Sequence, residues 1–367
     1  MRKRTSCGKH VGISLMMVLF LLLNLGLAGC GTPTQPAQPE SADPTEAAST
    51  AETEETAETT TQEEATQEPA PEPSEAATQA GEKYQASIVL KTTASEYWSY
   101  VIAGIEQAQE DLGNIDVVVQ GASGDTAFDE QMTIVETLIA AGGMQAIAVA
   151  PLNAGMISTQ LETADIPILA IDTNFDRAST FIGTAHEDAA YQGGKYVAEK
   201  IGEGGKVVML ANIQGETTSE ARVAGYVKAL EEGGCEIVAT LYTEGVADKA
   251  VAAMEQALQS QAEIDAVVCC ADDVAIGASR AIKSSTRADE DILICGFDGI
   301  SSGVQAVVDG DIGCTVAQDP YNMGYQCVVS LVDAIEEKSL EAFIDTGCNV
   351  ITPENAEEYL AKLNGLL

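Results

Sequence analysis

The feature that most constrains the fold is a regular alternation, from about residue 84 onward, of short apolar runs and longer amphipathic segments. Nine runs have the length and composition of strands, at residues 87–91, 116–120, 146–150, 167–171, 206–210, 236–242, 266–270, 291–297 and 313–317. Helix-length segments lie between them, at residues 97–112, 128–141, 189–201, 220–232, 248–261 and 273–283. The runs are apolar throughout, which is typical of parallel strands covered on both faces.

This β-α repeat predicts an α/β, doubly wound fold. A single open sheet usually holds fewer strands than the nine predicted here. We therefore expect two similar, Rossmann-like lobes. Ligands of such sheets bind beyond the carboxyl ends of the strands, so the residues that follow each strand are the candidates for a site.

The charge of the chain excludes one class of partner. Asp and Glu number 57 against 18 Lys and Arg, which gives a net charge of −39. Binding to nucleic acid requires a clustered excess of basic side chains. We therefore expect no nucleic acid partner.

The first thirty residues have the pattern of an export signal. A basic start is followed by an apolar run over residues 11–28 and by the sequence Leu27-Ala28-Gly29-Cys30. This ending resembles the bacterial lipobox, in which the cysteine is lipidated and becomes the new N-terminus. We expect residues 1–30 to be a lipoprotein signal peptide, with Cys30 anchored to the outer face of the cell membrane. An ordinary secretory signal or a retained membrane anchor is the alternative.

Residues 31–83 have the composition of a disordered acidic tether. The segment is rich in Pro, Thr, Glu and Ala, and residues 31–82 contain neither a basic nor an aromatic side chain. Such a composition buries too little apolar surface to fold, and its self-repulsion keeps it extended. We expect it to connect the lipid anchor to the folded region.

Several predicted strands end at polar or aromatic residues. After the first strand, Ser95 is a good helix N-cap, and Tyr97 and Trp98 then open the helix. An aromatic ring packs against the apolar face of a sugar, whose hydroxyls need hydrogen-bonding partners. Such partners stand at other strand ends and helix starts, namely Asp172, Thr173, Glu220, Arg222, Asp272, Asp298 and Gln318. Core packing, turns and helix caps are the alternative roles for these residues.

Longer motifs resemble a known family. Residues 296–299 read Gly-Phe-Asp-Gly and residues 315–320 read Thr-Val-Ala-Gln-Asp-Pro, with supporting matches at residues 165–172 and 266–278. Over roughly residues 84–351 the chain resembles type I bacterial sugar-binding proteins of ABC transporters, the ribose and galactose group.

The resemblance implies two lobes joined by a three-stranded hinge, with a monosaccharide or similar polyol bound between them and delivered to an ABC transporter permease. Lobe one would span about 84–186 and 319–347, and lobe two about 187–318 and 348–367, with a C-terminal helix in 352–367. The family's sugar contacts map to Ser95, Tyr97, Trp98, Asp172, Arg222 (or Glu220), Asp298 and Gln318. We also expect the protein to be a monomer that binds neither a cofactor nor a metal ion.

Three departures bear on the ligand. Ribose binders carry Arg where this chain has Thr173, Asn where it has Ala271, and Asn-Pro where it has Ser95-Glu96. Missing partners leave ligand hydroxyls unpaired, at about 1–3 kcal/mol each. These departures argue against ribose itself and leave a different pentose, a hexose or another polyol open.

Other functions fit the sequence less well. Residues 299–303 match the G-x-S-x-G motif of serine hydrolases, which requires a later histidine. The two histidines are His10, in the signal, and His186, which precedes Ser301, so we expect no enzyme. A single mature histidine also argues against zinc. A nucleoside-binding or sugar-sensing lipoprotein is the nearest alternative.

Cysteines provide a last expectation. Seven remain after the signal and Cys30, at positions 235, 269, 270, 295, 314, 327 and 348. Most lie in apolar strands, where cysteine behaves as a small buried hydrophobe. We expect free thiols.

Overall fold

The computed structural model describes residues 83–367. The predicted signal peptide, the lipidation at Cys30 and the tether up to residue 82 lie outside the described residues. Within 83–367, no helix has the length and apolarity needed to cross a bilayer.

The described residues form twelve strands and ten helices. The strands are β1 Tyr84–Thr92, β2 Ile115–Ala122, β3 Ala146–Val149, β4 Ile168–Ile171, β5 Phe181–Gly183, β6 Lys206–Ala211, β7 Glu236–Tyr242, β8 Ala266–Cys269, β9 Leu293–Asp298, β10 Cys314–Gln318, β11 Phe343–Asp345 and β12 Cys348–Ile351. The helices are α1 Glu96–Leu112, α2 Phe128–Ala141, α3 Ala154–Gln160, α4 His186–Ile201, α5 Thr217–Glu232, α6 Ala247–Ser260, α7 Asp272–Ser284, α8 Ser301–Val308, α9 Pro320–Ile335 and α10 Ala356–Leu363.

The strands make two six-stranded sheets. The sheet of lobe 1 has the order β11-β5-β4-β3-β1-β2, and that of lobe 2 has the order β12-β10-β9-β8-β6-β7. All neighbours are parallel except β10 and β12, which are antiparallel. The predicted two-lobe α/β fold is therefore confirmed.

Helices cover both faces of each sheet because the central strands are apolar on both sides. In β1, Ile88, Val89 and Leu90 are all fully buried. Ile88 and Leu90 pack with α1 and α9, whereas Val89 points to the other face and packs with α2 and α3. Lobe 2 is built in the same way, with one apolar cluster on each face of its sheet.

The packing of α1, which carries the predicted aromatic pair, depends on two glycines. A Cβ at Gly104 would lie 1.9 Å from the carbonyl oxygen of Tyr321 in α9, and one at Gly324 would lie 2.0 Å from that of Val101. The two helices thus approach each other through glycine in both directions. Any larger residue at either position would force α1 away from α9.

The chain passes between the sheets three times, between β5 and α4, between β10 and α9, and between β11 and β12. Strands β5, β11 and β12 beside these passages have only three or four residues. They are too short to show a period in the sequence and were not among the predicted strands. Because both lobes share all three passages, the carboxyl ends of the central strands face one cleft.

Candidate functional site

A cavity of about 120 Å³ lies where the carboxyl ends of strands from both sheets meet. A cavity of about 150 Å³ accommodates a single small ring compound, so this space suits one small molecule. Six of the predicted site residues line it, namely Ser95, Tyr97, Trp98, Asp172, Arg222 and Asp298.

The aromatic pair is fixed by the start of α1. Ser95 is the N-cap, and its hydroxyl accepts a hydrogen bond from the Trp98 backbone N–H at 3.5 Å. The rings of Tyr97 and Trp98 meet edge to face, with centroids 5.1 Å apart and planes at 87°. Both side chains are largely buried in lobe 1, so each ring belongs to the core while it borders the cavity.

Asp172 is the most heavily bonded carboxylate of lobe 1. It accepts hydrogen bonds from the Tyr97 hydroxyl at 3.0 Å and the Thr173 hydroxyl at 2.7 Å, and Lys91 Nζ lies 3.4 Å away. Burial raises the pKa of Asp172, but the neighbouring groups, Lys91 first among them, together outweigh burial and hold the pKa below its ordinary value. Its φ of 63° lies in the left-handed region, which is strained for a residue other than glycine. Such strained residues cluster at functional sites.

Asp298 is the corresponding carboxylate of lobe 2. Its Oδ1 accepts a hydrogen bond from Gln318 Nε2 at 2.7 Å and lies 3.2 Å from Arg222 Nη1. Burial raises its pKa to about 7, although Arg222 opposes the shift. Its φ is 111°, and the turn continues through Gly299, where a Cβ would lie 2.2 Å from that of Ala317. The Gly-Phe-Asp-Gly motif thus builds a tight turn that holds the carboxylate at the cavity.

Arg222 is held on several sides. Its guanidinium stacks over the ring of Phe297 at 4.0 Å and donates to the carbonyl of Cys270 at 2.7 Å. Its Nε lies 3.4 Å from Nδ1 of His186, whose Nε2 contacts the carbonyl of Asp172 at 2.9 Å. Burial, followed by the charge of Arg222, lowers the pKa of His186 to about 4, so this ring is neutral at pH 7.

Sequence reasoning missed an ion pair in the cavity. Lys91 at the end of β1 contacts Glu216, the N-cap of α5, at 2.9 Å. Burial raises the pKa of Glu216, but Lys91 together with the hydrogen bonds from Thr218 and Ser219 outweighs burial, and the pKa falls to about 2. Lys91 lies within β1 of lobe 1, and Glu216 precedes α5 of lobe 2, 125 positions further along the chain, so no local pattern pairs them.

Other lining residues were also missed. Asp125 of lobe 1 and Asn212, Glu244 and Asp273 of lobe 2 all lie in loops or at helix starts. Burial raises the pKa of Asp125 and of Asp273. Their position directly after strands was the available signal, because the same rule pointed to Asp172 and Asp298.

Four predicted residues do not line the cavity. Thr173 and Gln318 lie behind it, bonded to Asp172 and Asp298 respectively. Glu220 is exposed and accepts a hydrogen bond from the Gly215 backbone N–H at 2.8 Å, since it faces outward from the first turn of α5.

Asp272 is the fourth of these residues, and it is fully buried. Its two oxygens accept from the Thr315 hydroxyl at 2.6 Å and from the Ile300 backbone N–H at 3.0 Å. Burial raises its pKa well above the ordinary value. It therefore ties the start of α7 to β10 and to the turn before α8.

The G-x-S-x-G serine has a different partner from the one a hydrolase needs. The Ser301 hydroxyl lies 2.6 Å from the Tyr100 hydroxyl, and His186 is engaged by Asp172 and Arg222. Within the part of the chain that the structure describes, no cluster of His, Cys, Asp and Glu is arranged to hold a metal ion.

Taken together, the cavity is lined by two aromatic rings, two cations and several carboxylates. Oδ1 of Asp298 is occupied by Arg222 and Gln318, whereas Oδ2 has no hydrogen-bond partner among residues 83–367. The side-chain oxygen of Asn212 is likewise buried without a partner in that range. These groups can accept hydrogen bonds from a small hydroxylated molecule.

Comparison with known proteins gives a consistent result. A family model described as a periplasmic binding protein domain matches residues 86–339. A ribose import binding protein of Bacillus subtilis is 27% identical over 267 residues, which cover 71% of this chain and 85% of that protein.

Two solved structures share the fold at similar identity. An ABC transporter periplasmic solute-binding protein from Actinobacillus succinogenes, with bound D-allose, is 25% identical with a TM-score of 0.70, covering 76% of this chain and 100% of that chain. An ABC transporter solute-binding protein from Bacillus halodurans, with bound myo-inositol, is 25% identical with a TM-score of 0.71, covering 77% and 98%.

Proposed function

Because the chain belongs to the periplasmic binding protein domain family, we propose that it is an extracytoplasmic solute-binding protein. It captures a monosaccharide or similar polyol between its lobes and delivers it to an ABC transporter permease. The observation that carries this proposal is the convergence of Trp98, Asp172 and Asp298, from three distant segments and both lobes, on one small cavity.

The chemistry of the cavity supports a hydroxylated ligand. A sugar or cyclitol offers apolar C–H groups to the rings of Tyr97 and Trp98, and hydroxyl donors to Asp298 Oδ2 and Asn212 Oδ1. The relatives with bound D-allose and myo-inositol have ligands of this kind. D-Allose has an anomeric carbon and a ring oxygen, whereas myo-inositol has neither. Because both are bound by relatives of this chain, the proposal includes polyols as well as sugars.

The mechanism follows from the hinge. The lobes rotate about the three chain passages, and a ligand that contacts both lobes favours the closed form. The ligand shifts the equilibrium between the open and closed forms only through contacts that it makes in the closed form alone. Asp172 of lobe 1 and Asp298 of lobe 2 provide these contacts. A permease then recognises the closed pair of lobes.

We further propose the organisation of the whole chain. Residues 1–30 direct export, Cys30 is lipidated, residues 31–83 form the tether, and residues 84–351 form the sugar-binding domain. Substitution Cys30→Ser tests the anchor, because the variant then fails to incorporate a labelled fatty acid and leaves the membrane fraction. Incorporation equal to that of the unaltered protein contradicts the anchor.

A catalytic function is not part of the proposal. Ser301 is bonded to Tyr100, and the relatives are transport proteins. The second candidate ligand is a nucleoside, whose ribose would present the same hydroxyls. A thermal-shift screen of the purified protein with monosaccharides, cyclitols and nucleosides tests the proposal.

A ligand that binds only the native form raises the melting temperature, by mass action. We expect one sugar or cyclitol to do so at low concentration, and Asp298→Asn to remove the shift. A shift with nucleosides alone favours the second candidate, and no shift with any compound contradicts both.

A further inference from the structure

The ion pair between Lys91 and Glu216 connects the two lobes directly. Lys91 lies near the carboxyl end of β1 in lobe 1, and Glu216 is the N-cap of α5 in lobe 2. Lys91 Nζ lies 2.9 Å from Glu216 Oε1, and the side chains are only 12% and 10% exposed. Among the described residues, it is the only ion pair with one partner in lobe 1 and the other in lobe 2.

Each partner is also fixed within its own lobe. The Glu216 carboxylate accepts hydrogen bonds from the Thr218 hydroxyl and, at 2.7 Å, from the Ser219 backbone N–H. Lys91 Nζ lies 3.4 Å from Asp172 Oδ2. Little side-chain freedom is lost when the pair forms, because both groups are held in place beforehand.

We propose that Lys91 and Glu216 form an inter-lobe latch that holds the cleft closed and thereby sets the affinity for ligand. The pair exists only while the lobes are in contact, so its free energy belongs to the closed form alone. Opening separates two charges that are shielded from solvent and leaves Lys91 beside one carboxylate in place of two. The lobes are also joined by hydrogen bonds between α1 and the start of α8. The Tyr100 hydroxyl bonds to the Ser301 hydroxyl, and the Glu96 carboxylate accepts from the Ser302 backbone N–H.

The latch deepens the proposed function, on which its effect on affinity rests. The apparent affinity of a ligand that requires the closed form falls in proportion to the fraction of molecules in that form. Lys91 and Glu216 are therefore positioning residues, which act through closure in addition to bordering the cavity.

The test is small-angle X-ray scattering of the ligand-free protein, compared between the wild type, Lys91→Met, Glu216→Gln and the double variant. We expect each single variant to increase the radius of gyration. The double variant should increase it no further, since the first substitution already removes the interaction. An unchanged radius in both single variants, or additive increases, overturns the latch.

Matched controls remove an ion pair that lies within one lobe. Lys83→Met breaks the exposed pair with Asp116 in lobe 1, and Glu199→Gln breaks the pair with Lys195 on α4 in lobe 2. Neither should change the radius. Loss of the helix cap in Glu216→Gln would lower the melting temperature without changing the radius. Lys91→Met leaves that cap in place, so an increased radius in both variants is not a capping effect.

Affinity provides the second measurement. For whichever ligand stabilises the wild type, both single variants should bind about tenfold more weakly, which corresponds to about 1.4 kcal/mol. Equal affinity in the variants contradicts the latch. The scattering measurement needs no ligand. If the protein binds no sugar at all, the proposed function is contradicted, and the scattering result still tests the latch independently.

Discussion

Arg222 Nη1 lies 3.2 Å from Asp298 Oδ1, so the guanidinium pairs with one oxygen of a carboxylate that borders the cavity. Gln318 donates to the same oxygen at 2.7 Å. Within residues 83–367 the other oxygen, Oδ2, remains available as an acceptor. The arrangement fixes the orientation of a carboxylate that borders the cavity.

Replacing Arg222 by lysine tests this orientation. Lysine keeps the charge but cannot both stack on Phe297 and reach Asp298 and the Cys270 carbonyl. We expect the ligand affinity to fall about tenfold or more, and the free energy of unfolding to fall by about 1–3 kcal/mol. Calorimetric titration and urea denaturation measure the two effects. Arg280→Lys, on the exposed side of α7, should change neither, and an unaltered affinity in Arg222→Lys refutes the assignment.

Two buried groups of the site predict opposite responses to pH. The pKa of His186 is lowered from 6.5 to about 4, so its contribution to stability is present above pH 6.5 and is lost as the pH falls to about 4. The pKa of Asp298 is raised from 3.8 to about 7, so its contribution is present at low pH and is lost as the pH rises through 7. The two effects oppose each other in the wild type.

Variants separate the two contributions. Between pH 6.5 and about 4, His186→Gln should gain stability relative to the wild type as the pH falls, and Asp298→Asn should lose it. Each relative slope should be about 1.4 kcal/mol per pH unit. Urea denaturation at several pH values measures them. Parallel curves for the wild type and both variants would show that neither group titrates with a shifted pKa.

Trp98 has a structural role as well as the proposed binding role. It is 4% exposed and packs in the core of lobe 1, so Trp98→Ala should destabilise the protein by about 3–5 kcal/mol. Trp98→Phe retains a ring and should fold, but should bind the ligand more weakly. Tyr325→Phe, on α9 outside the cavity, is the matched control in calorimetry. Equal affinity of Trp98→Phe and the control would place the ligand elsewhere.

The seven cysteines of residues 83–367 are all unpaired in the structure, in agreement with the sequence. Five are buried, whereas Cys235 and Cys348 are half-buried. Iodoacetamide should therefore modify Cys235 and Cys348 first in the native protein, and the other five only after unfolding. Peptide mass mapping without reductant measures this. A pair of these peptides that resists alkylation after unfolding would reveal a disulfide.

The sequence predicted the parts of the fold that repeat. The central strands are continuous apolar runs and their helices have clear ends, as at Gly113 and Gly142, both with positive φ. The short strands β5, β11 and β12 depend on sheet edges formed by distant segments. Helices α3, α8 and α9 were also not predicted. Such long-range contacts cannot be predicted from the local periodicity of hydrophobic residues.

The site was predictable where a strand end or a motif identified it, as for Trp98, Asp172 and Asp298. The direction of a side chain was not predictable, because Asp272 and Glu220 have the same local pattern as residues that face the cavity. Asp272 points into lobe 2 and Glu220 points to solvent. Lys91 and Glu216 were missed for a related reason, since their pairing exists only through the contact of the lobes.

The most direct test of the central claim uses the chain's one tryptophan, Trp98, which borders the cavity. Its fluorescence should change in a saturable manner as the sugar or cyclitol that raises the melting temperature is added, with the same midpoint as calorimetry. The change should disappear in Asp298→Asn. If that ligand stabilises the protein while the emission of Trp98 stays constant, the ligand binds outside the cleft and the account is contradicted.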